Sequence, residues 1–97
     1  MKRHVICCDM DGTLSEGMCD TPEQARDALP IREYIDKVNE LADRGHFICI
    51  YTARRDRLIP ATLDWLRRNG VIFHAISNNK TPADCYIDDL AMKPSDL

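Results

Sequence analysis

The sequence lacks several features that would each place it in a definite class of protein. No apolar run approaches the roughly 20 residues that a membrane-spanning helix needs. The first apolar stretch ends at Asp9, which also makes it too short for the core of a signal peptide. No repeat, low-complexity tract or long linker divides the chain. We therefore expect a soluble, cytoplasmic protein that forms one domain over residues 1–97.

Paired cysteine motifs are also missing. The chain has five cysteines, an odd number, and no Cys-x-x-Cys pair, whereas metal sites and disulfide frameworks usually show paired spacings. Cys7, Cys49 and Cys85 lie inside or beside apolar runs, where a reduced cysteine acts as a small apolar side chain. We interpret the cysteines as free thiols in a reducing compartment.

An excess of positive charge is the third missing feature. The chain has 13 Lys and Arg against 16 Asp and Glu, which gives a net charge of −3. Proteins that bind nucleic acid by neutralising phosphates are usually basic, so this balance disfavours a nucleic-acid partner.

Short apolar runs alternate with amphipathic segments along the chain. We predict strands at 5–8, 47–51, 71–76 and 85–87, with a loop or small flap at 14–29. Apolar residues at helical spacing predict one helix from Pro30 to the cap at Gly45, and a second from Pro60 to Asn69. This alternation indicates an α/β protein with a short parallel sheet, in a minimal Rossmann-like, three-layer arrangement.

Polar residues follow each predicted strand. Asp9 follows the first strand, Thr52 the second and Asp88 the fourth, while Lys80 lies beyond the third. Ligands of parallel α/β sheets bind beyond the carboxyl ends of the strands, so we expect these residues to form one site. Carboxylates at Asp9 and Asp11, with another pair at 88–89, suit Mg²⁺.

This set of residues fits phosphoryl transfer to a protein nucleophile. That reaction needs an attacking carboxylate, a cation, donors for the phosphate oxygens, and an acid that later acts as a base. Asp9 is the candidate nucleophile and metal ligand, and Asp11 the acid/base. Thr52 and Lys80 are candidates for binding phosphate oxygens, and Asp88 for completing the metal site.

The same residues resemble the haloacid-dehalogenase-like phosphohydrolases. Asp-Met-Asp-Gly-Thr at 9–13 matches the first motif of that family, and Thr52, Lys80 and the acidic pair match the other three in order. The resemblance implies a Mg²⁺-dependent phosphatase that forms an aspartyl-phosphate on Asp9. It also implies that the Asp11 backbone carbonyl binds Mg²⁺ beside the Asp9 and Asp88 carboxylates, with Asp89 outside the first shell of ligands.

A closer likeness is to small capless members found in bacterial and phage polysaccharide or nucleotide contexts. It extends through Tyr-Thr-Ala-Arg at 51–54 and Asn-Lys-Thr-Pro at 79–82, where relatives often have Gly-Lys-Pro. The likeness implies substrate contacts from Thr52, Ala53, Arg54 and Lys80. For Arg54, a surface salt bridge is the alternative, since an arginine fork suits either phosphate or carboxylate.

The spacing of the motifs predicts an open site. Only 38 residues separate Thr13 from Thr52 and 27 separate Thr52 from Lys80, too few for a large cap domain. Two interpretations of an open site follow: the phosphorylated substrate is bulky or extended, or a neighbouring subunit covers the site. The expected partner is accordingly a phosphorylated small molecule or a bulky phosphorylated substrate. Only eight residues follow Asp89, too few for the additional strand that many relatives carry. The sheet is then either minimal or covered at one edge by a partner subunit, and on that basis we expect self-association.

Two other functions are compatible with the motifs. The domain would be non-catalytic or regulatory if it bound metal or phosphate without turnover. It would be a phosphotransferase if the acceptor were not water.

Overall fold

The computed structural model describes residues 3–78 and 84–87, which contain a four-stranded parallel sheet. The strands are β1 (Val5–Asp9), β2 (Phe47–Tyr51), β3 (Ala75–Ser77) and β4 (Cys85–Ile87), in the spatial order β3-β2-β1-β4. The helices are α1 (Pro22–Asp27), α2 (Arg32–Asp43) and α3 (Ile59–Arg68), with a 3₁₀ turn at Asp56–Leu58 before α3. The α/β, minimal Rossmann-like fold is thus confirmed, and the described residues contain no cap domain.

The two central strands are buried along most of their length. Ile6, Cys7 and Cys8 of β1 are each at most 4% exposed, and the three middle residues of β2 are equally enclosed. A parallel strand covered on both faces is expected to have such a continuous apolar run. Cys7 pairs with Cys49 in the register of the sheet, so these thiols occupy apolar positions at its centre, as predicted.

Helices α2 and α3 pack their apolar stripes against one face of the sheet. Ile35, Val38 and Leu41 of α2 are buried at the three-residue spacing that places them on one side of a helix. Their contacts include Trp65 and Leu66 of α3 within a single core. None of the described helices is long and apolar enough to cross a bilayer.

The helix ends differ slightly from the prediction. α2 begins at Arg32 rather than Pro30, because Pro30 instead forms an isolated bridge with Ser15. α2 does end where Gly45 was predicted to follow it, and Gly45 has φ +94°, a conformation that costs glycine little. β3 begins at Ala75, four residues after the predicted start at 71.

The segment 14–29, predicted to be a loop or flap, contains the short helix α1. Thr21 caps this helix: its hydroxyl accepts a hydrogen bond from the Gln24 backbone N–H at 3.2 Å, and the Gln24 side chain accepts one from Thr21 N–H at 3.3 Å. The segment is tied to α3, since Trp65 Nε1–H donates to the Ala28 carbonyl at 2.7 Å. The flap is therefore packed on the domain.

Candidate functional site

The site is built at the carboxyl ends of adjacent strands. Asp9 ends β1 and pairs with Tyr51, the last residue of β2, so Thr52 follows directly beside it. Two hydrogen bonds extend the sheet at this edge, from Met10 N–H to the Tyr51 carbonyl at 3.0 Å and from Thr52 N–H to the Ser77 carbonyl at 2.9 Å. The structure thus brings Asp9 and Thr52 together, while their chemical roles stay predictions.

A tight turn after β1 carries Asp11. The Met10 carbonyl accepts hydrogen bonds from Leu14 N–H at 3.0 Å and Ser15 N–H at 3.1 Å, and Gly12 N–H donates to the Ser15 carbonyl at 2.7 Å. Gly12 has φ +82°, which a side chain would oppose, and this explains the glycine in the motif. The apolar residues Met10 and Leu14 are fully buried, so they anchor the turn in the core.

The Asp11 side chain forms a buried ion pair with Arg54. Arg54 Nη2 lies 2.7 Å from Asp11 Oδ1, and Nε lies 3.2 Å from both carboxylate oxygens. The two side chains are only 1% and 10% exposed, for Arg54 and Asp11 respectively. Charge-assisted contacts to both oxygens are strong and directional, so they fix the orientation of the Asp11 carboxylate.

Arg54 is itself held by its neighbours. Its Nη1 donates to Thr62 Oγ1 on α3 at 2.9 Å, and the Thr62 hydroxyl donates to the Leu58 carbonyl at 2.8 Å. The Arg54 backbone N–H donates to Thr52 Oγ1 at 3.1 Å. A hydroxyl that accepts one hydrogen bond can still donate another, so the Thr52 O–H retains the capacity to bind a phosphate oxygen.

Sequence reasoning missed this cluster. It considered Arg54 as a substrate contact or a surface salt bridge, whereas in the structure the guanidinium is buried and contacts Asp11. Thr62 was not considered at all. The available signal was its position in the apolar stripe of α3, three residues before the buried Trp65, where a polar side chain needs a partner.

A cavity of about 380 Å³ opens beside Asp11. One wall is formed by Asp11 and by residues 18–20 of the 14–29 segment, and the other by residues from the segment 53–58, which follows β2. Its lining residues are Asp11, Met18, Cys19, Asp20, Ala53, Arg54, Arg55, Arg57 and Leu58. The predicted contacts Ala53 and Arg54 therefore share one cavity with the predicted acid/base.

The cavity also contains the Cys19 thiol. Burial raises the pKa of Cys19, the nearby Arg54 guanidinium opposes that shift, and the Asp11 and Asp20 carboxylates add to it. Arg54 Nη2 lies 3.3 Å from Cys19 Sγ. The Cys19 thiol also donates to the Gln24 carbonyl at 3.6 Å, so it links Arg54 to the start of α1.

The backbone at Asp11 suits a hard cation. Among the described residues, no hydrogen-bond donor contacts the Asp11 carbonyl, whereas three backbone donors contact the carbonyl of Met10. A carbonyl oxygen without a donor, two residues after Asp9, matches the ligand chemistry of Mg²⁺. Residues 3–78 and 84–87 contain no group of three metal-ligating side chains, and the predicted Lys80, Asp88 and Asp89 lie outside the described residues.

Comparisons with known proteins define the fold. No protein-family model matches the sequence, and no curated protein matches it. A conserved protein from Bacteroides thetaiotaomicron is 22% identical, with a TM-score of 0.73 over 92% of this chain and 78% of that chain. A structural target from Vibrio cholerae is 28% identical, with a TM-score of 0.68 over 94% of this chain and 84% of that chain.

A third solved structure, of the Pnkp1/Rnl/Hen1 complex, contains the same fold as part of a longer chain. It is 15% identical, with a TM-score of 0.67 over 92% of this chain but only 30% of that chain. Each of these three solved structures shares the α/β fold of this chain over at least 92% of its length.

Proposed function

We propose that this protein is a Mg²⁺-dependent phosphatase that hydrolyses a phosphomonoester through an aspartyl-phosphate on Asp9. The observation that carries the proposal is the placement of Asp9, Asp11 and Thr52 at one edge of the sheet.

In the first half of the reaction, Asp9 attacks phosphorus. A bond forms between an Asp9 carboxylate oxygen and phosphorus as the bond from phosphorus to the ester oxygen breaks. Asp11 gives a proton to the departing alcohol, and the Thr52 O–H donates to a phosphate oxygen. Mg²⁺, held by Asp9, the Asp11 carbonyl and Asp88, would screen the negative charges that must approach each other.

In the second half, water attacks the aspartyl-phosphate. Asp11 takes a proton from the water as the bond from Asp9 to phosphorus breaks. Inorganic phosphate leaves, and the Asp9 carboxylate is restored for the next cycle. Lys80 would donate to the phosphate oxygens, and Asp89 would support the metal site without contacting it directly.

Phosphate release from a panel of phosphomonoesters, with and without Mg²⁺, tests the proposal. We expect Asp9→Asn to lower the rate of phosphate release by roughly 10³-fold or more, and Asp11→Asn to lower it by about 10²- to 10⁴-fold. The matched control is Asp64→Asn, which alters a carboxylate that pairs with Arg68 on the surface of α3. Release by Asp9→Asn at the wild-type rate would refute the mechanism.

The two alternatives give different results in the same assay. A phosphotransferase would release little inorganic phosphate with or without an alcohol acceptor, and the added acceptor would become phosphorylated. A binding domain would bind Mg²⁺ and phosphate with no turnover of any ester. The engagement of both Asp11 oxygens by Arg54 is the observation that favours this second alternative, since a base must be able to reach its proton.

The proposed substrate is a phosphorylated small molecule or a bulky phosphorylated group. The cavity beside Asp11 lies at the edge of the sheet, and no cap covers it among the described residues. Self-association is the corresponding proposal for how the site would be covered. A monomeric mass by light scattering at working concentration would exclude it.

A further inference from the structure

We propose that the cavity beside Asp11 binds a second anionic group of the substrate, and that Arg55 and Arg57 recognise that group. The substrate class would be small phosphomonoesters with another phosphate or a carboxylate, such as sugar or nucleoside bisphosphates. This inference rests on the proposed function, because it assigns the cavity to the part of the substrate that is not hydrolysed.

The first support is the position and size of the cavity. Asp11 and Arg54 both line it, and Asp11 follows Asp9 by two residues, so the cavity adjoins the part of the site to which we assign the reacting phosphate. Its volume of about 380 Å³ lies in the range of pockets that bind small molecules, and would hold a group of sugar size. Among the described residues, no cap domain provides a competing substrate pocket.

The second support is the charge that remains in the cavity. Three arginines and two aspartates line it, but Arg54 and Asp11 neutralise each other. Arg55 and Arg57 then face one carboxylate, that of Asp20, which leaves an excess positive charge. The chain as a whole has a net charge of −3, so a cationic cavity is a local exception.

The third support is that these two arginines have no carboxylate partner among the described residues. Three of the six other exposed arginines among the described residues, Arg32, Arg44 and Arg68, each form an ion pair with an acidic residue four positions away. Arg57 Nη2 instead donates to the Asp20 carbonyl at 3.0 Å, a contact that spans the two walls of the cavity. A guanidinium held at a cavity wall without a counter-ion suits a phosphate or carboxylate ligand.

The apolar residues of the cavity fit the rest of such a molecule. Met18 is 79% exposed at the rim, and Leu58 is buried. Methionine adapts its shape to the ligand that it contacts, and a sugar or base ring presents an apolar face. The cavity therefore combines an apolar surface with cations, as a site for a small organic anion requires.

The test compares matched pairs of substrates. The pairs are fructose 6-phosphate with fructose 1,6-bisphosphate, and adenosine 3′-phosphate with adenosine 3′,5′-bisphosphate. We expect the wild-type protein to prefer the bisphosphate of at least one pair. In a double variant with Arg55→Gln and Arg57→Gln, the ratio of kcat/KM for bisphosphate over monophosphate should fall by roughly 10- to 100-fold, as expected for losing charge-assisted hydrogen bonds.

The control is Arg67→Gln. Arg67 is also an exposed arginine, but it lies in the last turn of α3 and does not line the cavity. We expect it to leave the ratio as in the wild type. Circular dichroism of each variant checks the fold, and an equal loss for both substrates of a pair would overturn the proposal.

Binding to Asp9→Asn separates this proposal from the proposed function. If no ester is hydrolysed by the wild type, calorimetry with this variant still measures whether the bisphosphate binds more tightly than the monophosphate. It also measures whether Arg55→Gln and Arg57→Gln remove the difference. Equal affinities would overturn the second-anion site. We also measure the binding of an oligonucleotide with a terminal phosphate. If it binds more tightly than either bisphosphate, and through the same arginines, the proposal that the substrate is a small molecule is overturned.

Discussion

Replacing Arg54 with methionine should destabilise the fold through the charge that it leaves behind. The Arg54 side chain is 1% exposed and its partner Asp11 is 10% exposed, so the substitution leaves a buried carboxylate without its counter-ion. Removing one partner of a buried pair typically costs 3–5 kcal/mol. Because some water still reaches Asp11, we expect Arg54→Met to lower the free energy of unfolding by about 3 kcal/mol.

Urea denaturation followed by circular dichroism measures this loss. With a slope of about 1–1.5 kcal/mol per molar urea for so small a chain, the midpoint should fall by roughly 2–3 M. The experiment is done with a chelator present, so that a difference in metal binding does not add to the difference in stability. The slope itself should stay constant if both proteins unfold in one step.

A double-mutant cycle with Asp11→Asn isolates the ion pair. Because the second substitution removes the stranded charge, Arg54→Met should cost at least about 2 kcal/mol less in the Asp11→Asn background. The control is Arg68→Gln, which breaks an exposed pair with Asp64 and should cost less than about 1 kcal/mol. Additive losses in the cycle, or a loss for Arg54→Met no larger than that of the control, would refute the argument.

Two further predictions concern residues away from the site. Trp65→Phe should lower the free energy of unfolding by about 1–3 kcal/mol, because it opens space in the core and leaves the Ala28 carbonyl without its donor. Urea denaturation measures this loss, and a change within about 0.5 kcal/mol would contradict the prediction. The pKa of Glu40 lies below its ordinary value of 4.5, chiefly because Lys37 donates a hydrogen bond to it and also through the charges of Lys37 and Arg44. That interaction stabilises the fold above pH 4.5, and the stabilisation is lost as the pH falls through the lower pKa that Glu40 has in the folded protein. Lys37→Gln should therefore raise the pKa of Glu40, as measured by NMR titration.

Local signals explain which parts of the fold were predictable. The bounds of β2 and β4 agree with the prediction because buried parallel strands are short apolar runs with clear ends. α3 ends at Arg68, just before the predicted stop at Asn69. β3 begins later than predicted because apolar content does not show where pairing with β2 starts. α1 was missed since six residues carry too little periodicity, although Thr21 and Gln24 form a recognisable capping box.

The sequence by itself determined the edge of the sheet at which the candidate site lies. Strand order along the chain and the residues that follow each strand suffice for this, because parallel strands end on one side. Asp9 and Thr52 accordingly meet there, whereas the positions of Lys80 and Asp88 remain predictions. Only the tertiary structure decided that Asp11 pairs with Arg54, 43 positions away, and that Thr62 anchors the pair. Such partners depend on how the turn after β1, the end of β2 and α3 pack together, and that geometry has no signature in local sequence.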